Sequence, residues 1–117
     1  MKVTPISGNG YTKLLFTELN LPADGQVSLF FWENGQSIPH DHSVDEWTYV
    51  AAGTIKETRK VGDKYAVAFH TEGDLFQVPK GTEHVVEAVG VAVTLNFCMG
   101  DLAMKKIEDF LPKFSAA

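Results

Sequence analysis

The sequence predicts an all-β fold, a sandwich or barrel of short strands. Three observations carry this. Apolar β-branched and aromatic residues gather into short runs, such as Gln26-Val27-Ser28-Leu29-Phe30-Phe31-Trp32 and Tyr65-Ala66-Val67-Ala68-Phe69-His70. Those residue types fit a pleated, half-buried surface. Turn chemistry at Asn9-Gly10, Asn34-Gly35, Gly62-Asp63 and Gly73-Asp74 separates the runs, at intervals of roughly 8 to 12 residues. Helical spacing of apolar residues is confined to one short stretch near the end, at 102–111.

In chain order, residues 1–10 contain the turn cluster Gly8-Asn9-Gly10 and read as irregular. Residues 11–19 read as an edge strand, with Leu15 and Phe16 able to pack inward. Residues 20–25 hold Pro22 and Asp24-Gly25 and read as a turn. Residues 26–32 are apolar on both faces toward their end, the pattern of a buried strand. After the Asn34-Gly35 turn, residues 38–51 read as one strand closing at Ala52-Gly53. Residues 54–60 read as a more exposed, charged strand, and 65–70 as its return. A short apolar strand at 75–78 leads to the turn Pro79-Lys80-Gly81-Thr82-Glu83 and to His84. Residues 85–89 form a strand broken by Gly90, and 91–99 a long hydrophobic one. Leu102, Lys105, Lys106, Ile107, Phe110 and Leu111 fit a short amphipathic helix stopped near Pro112, a lid or interface element.

The chain of 117 residues suits one domain over 1–117. Its apolar fraction of 44% allows a real core, and 21% charged residues is ordinary for a globular protein. A formal net charge of -5 argues against nucleic acid or an anionic membrane as partner. There is no apolar run near the ~18 residues a membrane span needs. No apolar signal core follows the first residues, so a cytoplasmic location is expected. A single cysteine, Cys98, excludes an internal disulfide and a multi-thiolate site. Any metal must be held by nitrogen and oxygen.

Such ligands are present. His40 and His42 stand two apart and Glu46 four further on. On an extended chain the three share a face. Two imidazoles and a carboxylate suit a divalent transition metal of intermediate softness. His84, after Pro79-Lys80-Gly81-Thr82-Glu83, is a third imidazole.

These residues lie in two spaced motifs that resemble those of the cupin superfamily. The first runs from Gly35 to Gly53, with His40-x-His42, Glu46 three residues after His42 and Gly53 six residues after Glu46; four residues, one short of the family spacing, separate Gly35 from His40. The second runs over 73–88, with Gly73, Pro79, Gly81 and His84 at the family spacings, and Ala88 where the family carries asparagine. The resemblance implies a double-stranded β-helix, a jelly-roll barrel holding one metal near a mouth. It implies His40, His42, Glu46 and His84 as ligands of one divalent ion (iron, manganese, nickel, cobalt or zinc), with open positions for water or substrate. It also implies a homodimer, by likeness to other single-domain members.

Other residues have plainer readings. His70 matches no motif position and reads as a surface residue. Glu83, Asp41 and Asp45 read as solvated, with Asp41 alternatively orienting a histidine. Thr48 and Val50 share the parity of Glu46 and should point inward. Gln77 is either a pocket group or outward-facing. Either Thr94, Asn96 and Cys98 or the alternating Val93, Leu95 and Phe97 must face inward, and Cys98 reads as a small buried residue. Phe30, Phe31, Trp32 and Trp47 read as core or dimer packing.

Function follows only in outline, because this fold hosts many chemistries. The first reading is a mononuclear metalloenzyme on a small organic molecule, with dioxygenase chemistry first and lyase or isomerase chemistry beside it. The second is a non-catalytic small-ligand sensor, weakened by the lack of an attached DNA-binding segment. The third is a structural cupin with a degenerate site, against which the full ligand set stands. No residue stands out as catalytic acid or base.

Overall fold

The computed structural model describes residues 1–20, 25–100 and 102–112. Its strands are β1 (Lys2–Gly8), β2 (Tyr11–Thr17), β3 (Gly25–Glu33), β4 (His40–His42), β5 (Glu46–Val61), β6 (Lys64–Thr71), β7 (Leu75–Val78), β8 (His84–Met99) and β9 (Met104–Lys106). The expected turn at 20–25 falls largely outside the described residues. The pairings are antiparallel throughout. One path runs β1-β2-β3-β8-β4-β9, and β5 pairs with β6, β7 and β8. β8 is the central strand, with β3 and β4 on one edge and β5 on the other, and the antiparallel sheet is curled as in the jelly-roll barrel that the motifs imply.

Two long strands form the spine. β5 and β8 have 16 residues each, where the sequence suggested two shorter strands in each place. The glycines read as breaks instead let a continuous strand bend. At Gly53 the backbone turns to φ +80°, within the second of two register shifts, at Val50/Ala52 and Ala52/Thr54. A Cβ there would strike the carbonyl oxygen of Val91, so glycine permits both the bulge and the close approach. Gly35 is likewise pressed against Gly10, while the Gln36 amide bonds to the Asn9 carbonyl at 3.0 Å. The start of the first motif is thereby locked to the β1–β2 turn.

Strand alternation decides what faces inward. Across the barrel, Tyr11 pairs with Trp32 and Trp32 with Ala92; Phe30 pairs with Thr94 and Thr94 with Val50; Ser28 pairs with Asn96 and Asn96 with Thr48. Trp32, Val50, Ile55, Ala88 and Ala92 make an apolar core, flanked by Tyr11, Phe30, Phe76 and Val86. Ala88, at the family's asparagine position, is part of that core. Buried polar residues are gathered beside it: His40, His42, Thr48, Glu57, Thr58, His84 and Thr94. The alternation left open at 93–98 resolves with Thr94 and Cys98 buried, while Phe97 stacks on Trp47 at 6.0 Å on the outer side.

Several expectations are corrected. Residues 1–10 are not irregular: β1 pairs with β2 from Lys2↔Thr17 to Gly8↔Tyr11, so β1 rather than 11–19 is the edge. Residues 38–51 are two strands separated by a bend at 43–45. Residues 54–60 are not an exposed strand, since Ile55, Glu57 and Thr58 are buried. His70 is not a surface residue: it is half-buried, with its ring stacked 3.8 Å from Phe76.

The expected helix at 102–111 is absent. Met104–Lys106 pairs with β4 instead, with His42 opposite Met104 and His40 opposite Lys106. The Ser43 amide bonds to the Ala103 carbonyl at 3.0 Å and the Ile107 amide to the Pro39 carbonyl at 2.9 Å. β4 has only three residues, and its outer edge leaves peptide groups that need partners. A strand supplies them where a helix, which spends its hydrogen bonds internally, would not. The apolar residues of the helical pattern divide: Phe110 packs edge-on against Tyr65 at 4.9 Å, and Leu111 is exposed. Among the described residues no helix is long and apolar enough to cross a membrane.

Candidate metal centre

Three histidines converge. His40 and His42 project from the same face of β4, and β4 pairs with β8 at His40↔His84. The potential ligand atoms of the three lie within 4.8 Å of one another, and all three residues are buried. Glu46, at the start of β5, brings Oε1 to 3.8 Å from His42 Nε2. It lines the same cavity, although it lies outside the tight three-histidine group. The bend at 43–45, rather than one extended strand, returns it to the site.

Hydrogen bonds set how the rings present themselves. His40 Nδ1 donates to the Ile38 carbonyl at 2.5 Å. His84 Nδ1 donates to Glu57 Oε2 at 2.8 Å. Each bond fixes the tautomer and leaves Nε2 with a bare lone pair. His84 Nε2 is buried with no partner. His40 Nε2 and His42 Nε2 face each other at 2.9 Å. Two lone pairs at that distance repel unless a proton or a cation lies between them. A buried, unpartnered imidazole nitrogen costs about 1–3 kcal/mol, which a shared cation would remove. The residues present therefore fit a divalent metal.

Electrostatics agree. Burial, then the charge of His84, pushes the His40 pKa down to about 4, against the opposing pull of the Ile38 carbonyl. Burial, then His40 and His84, pushes His42 to about 3. Both rings are neutral near pH 7, the form that ligates. Burial raises the Glu46 carboxyl above its usual value, opposed by His84, Asn96 and Lys13.

Sequence reasoning missed four contributors. Glu57, 1% exposed, accepts from His84 and, through Oε1, from Arg59 Nε at 2.8 Å and Nη2 at 2.5 Å. Burial disfavours its charge, but the hydrogen bonds and charges of His84 and Arg59 outweigh that and lower its pKa. Carboxylate support of this kind orients a ligating imidazole. The available signal was parity with Ile55, which places Glu57 on the inner face. Lys13, on β2, also lines the cavity. It shares a face with Tyr11, and a lysine on an inward parity was the cue. Met104 and Leu102 complete the wall from the segment expected to be helical.

The cavity holds about 150 Å³. Phe30, Trp32, Ile38 and Val86 give it apolar walls, and a polar chain crosses one side. Trp32 Nε1 donates to Thr94 Oγ1 at 3.0 Å, Thr94 to Asn96 Oδ1 at 3.1 Å, and Asn96 Nδ2 to Thr48 Oγ1 at 2.9 Å. Thr48 thus points inward as its parity required. Gln77 faces outward, 3.5 Å from Asp45. Asp45 also accepts from the Lys80 amide at 2.8 Å, tying the two motif loops together. Cys98 is buried.

Solved structures with this fold include oxalate decarboxylase from Bacillus subtilis, in work on its Mn(II) centers: TM-score 0.77, 22% identity, covering 88% of this chain and 29% of that one. A variant of the same enzyme altered at four consecutive residues gives TM-score 0.78, 21% identity and coverage of 89% and 30%. The chain thus spans under a third of those proteins' length. No curated protein sequence matches it. The cupin domain family matches residues 29–98, a span that takes in all three histidines, Glu46 and Glu57. With more than half of its length matched and its barrel shared with those structures, this chain belongs to the cupin family.

Proposed function

We propose that the chain is a mononuclear metalloenzyme acting on a small organic molecule, with His40, His42, Glu46 and His84 holding one divalent transition metal. The observation that carries this is the convergence of buried imidazole nitrogens at the wall of a cavity large enough for a small molecule. A structural metal site would be closed by protein; this one opens onto space a substrate can fill. Such a metal supplies Lewis acidity to substrate oxygen atoms. The chain's own residues do the rest. The Glu57–His84 bond holds the ring in its ligating tautomer. Thr48 and Asn96 offer hydrogen bonds to a polar substrate head, and Phe30, Trp32 and Val86 exclude water.

Lyase or isomerase chemistry without net oxidation is the first reading, supported by a polar chain beside the ligands and by the likeness to a decarboxylase. Dioxygenase chemistry is the second, favoured by the apolar lining, which suits dioxygen and an oxidisable substrate. Exposed apolar side chains on the outer face, among them Val67, Phe69 and Leu75, support a homodimer, which sedimentation would test.

The deciding experiment is metal analysis of protein purified without a histidine tag, followed by an oxygen-uptake screen against small carbonyl and hydroxy compounds. About one equivalent of metal, and turnover without oxygen uptake, are expected. Absence of metal, with no stabilisation by added manganese, iron, cobalt, nickel or zinc, would overturn the proposal.

A further inference from the structure

Lys13 is the one cationic side chain among those described as lining the cavity. It projects from β2, two strands from β8 in the sheet, and lies in register with Phe30. Its Nζ sits 5.3 Å from the centre of the Phe30 ring, over the aromatic face. Among the described residues no carboxylate lies within ion-pairing distance of it, although five other ion pairs involve Glu46, Glu57, Glu87 and Glu108. This half-buried ammonium lies over a ring face, with no carboxylate paired to it among the described residues. Burial pushes its pKa down, and the charge of Glu46 pulls it part-way back. A cation in that condition is stabilised by an incoming anion more than a solvated surface lysine would be.

The charge count points the same way. Glu57 is matched by Arg59 behind His84, and the imidazoles of His40 and His42 are neutral near pH 7. Among the described residues Glu46 is then the only carboxylate lining the cavity. It does not balance a divalent ion, let alone a divalent ion and Lys13 together. The other described lining residues are apolar or uncharged polar groups such as Thr48, Thr94 and Asn96, and none of them supplies negative charge.

We propose that Lys13 selects organic anions: the substrate carries a carboxylate or an equivalent acidic oxygen group that pairs with Lys13 while another oxygen atom reaches the metal ligand cluster. Lys13 is a specificity residue in this assignment, which rests on the metal-centre reading above. The substrate class is a short oxo- or hydroxy-carboxylic acid, small enough for a cavity of about 150 Å³.

The test uses full-length protein loaded with cobalt(II), whose visible absorption reports ligation. It is titrated with pyruvate and with its uncharged amide, pyruvamide. Wild-type protein is expected to bind pyruvate about tenfold or more tightly than pyruvamide, the worth of one charge-assisted hydrogen bond. Lys13→Met should abolish that preference while cobalt content and melting temperature stay as in wild type, and Lys13→Arg should restore part of it. Equal binding of the two probes by wild type, failure of cobalt-loaded protein to bind either, or a preference unchanged in Lys13→Met would each overturn the assignment and leave the metal centre standing. Failure of cobalt to bind at all would instead bring down the metal-centre reading, and this one with it.

Discussion

Glu57 Oε2 stands 2.8 Å from His84 Nδ1, and both side chains are 1% exposed. The pair joins the metal centre to Arg59, which reaches the Gln77 carbonyl at 3.1 Å. Glu57→Gln keeps the shape and removes the charge that favours His84's Nδ1–H tautomer. It is expected to weaken metal affinity about 10–100-fold, with the fold retained, as read by competitive titration against a chelator. Glu57→Ala also strands Arg59 and should cost about 3–5 kcal/mol of stability, seen in urea unfolding.

His42→Ala removes one of the three clustered nitrogens. Stoichiometric metal should be lost, and with it the rise in melting temperature that added metal gives wild type. That rise corresponds to about 2.7 kcal/mol at a hundredfold excess over Kd. Elemental analysis with differential scanning calorimetry checks both, and retention of one equivalent of metal would refute the assignment of His42.

Protein stripped of metal should lose stability as the medium is acidified. His40 and His42 have folded pKa values of about 4 and about 3, below the unfolded value of 6.5. Below pH 6.5 the unfolded chain takes up protons that the folded one refuses, so unfolding is favoured progressively until the folded pKa is reached. His40 alone contributes about 3 kcal/mol across that window. The lowered pKa of Glu57 adds a further loss at lower pH, and the raised pKa of Glu46 opposes it, since folded Glu46 takes its proton earlier. Urea midpoints measured from pH 7.5 to 4 should fall throughout. The loss should be smaller in His40→Gln.

The pairing of β9 with β4 holds two of the proposed ligands, His40 and His42, from the outside. Lys105→Pro removes the amide opposite Asp41 and should disrupt that ladder. Metal affinity is expected to fall by about tenfold or more, as in other cases where support of a ligand is lost, with little change in far-ultraviolet circular dichroism. Lys105→Ala, which keeps the amide, should bind metal like wild type.

The ligand strand was legible because its chemistry and its geometry share one period. His40 and His42 are two apart, strands alternate every two residues, and both rings are buried. His84 was legible through the turn that delivers it. Glu57 was harder to read, because a charged run with Lys56, Arg59 and Lys60 around it has the composition of a solvated strand; its parity with Ile55 was the one cue, and both are buried. The terminal strand was hidden for a different reason. Its helical spacing is a local property, whereas β4's need for an edge partner is set by distant parts of the chain.

The interior combines an apolar cluster of Trp32, Val50, Ile55, Ala88 and Ala92 with a neighbouring group of buried imidazoles, which gives the molecule a gradient of local stability. Amides of β8 near Ala88 and Ala92 rest on packed hydrocarbon and should exchange with solvent only through global unfolding. Those around His40 and His42 are held by a three-residue strand beside buried ring nitrogens without partners, His42 Nδ1 and His84 Nε2, so without metal they should open independently. Loading the site would then merge two cooperative units into one, and the rate of deuterium uptake along the chain would record how far ligation reaches into the barrel.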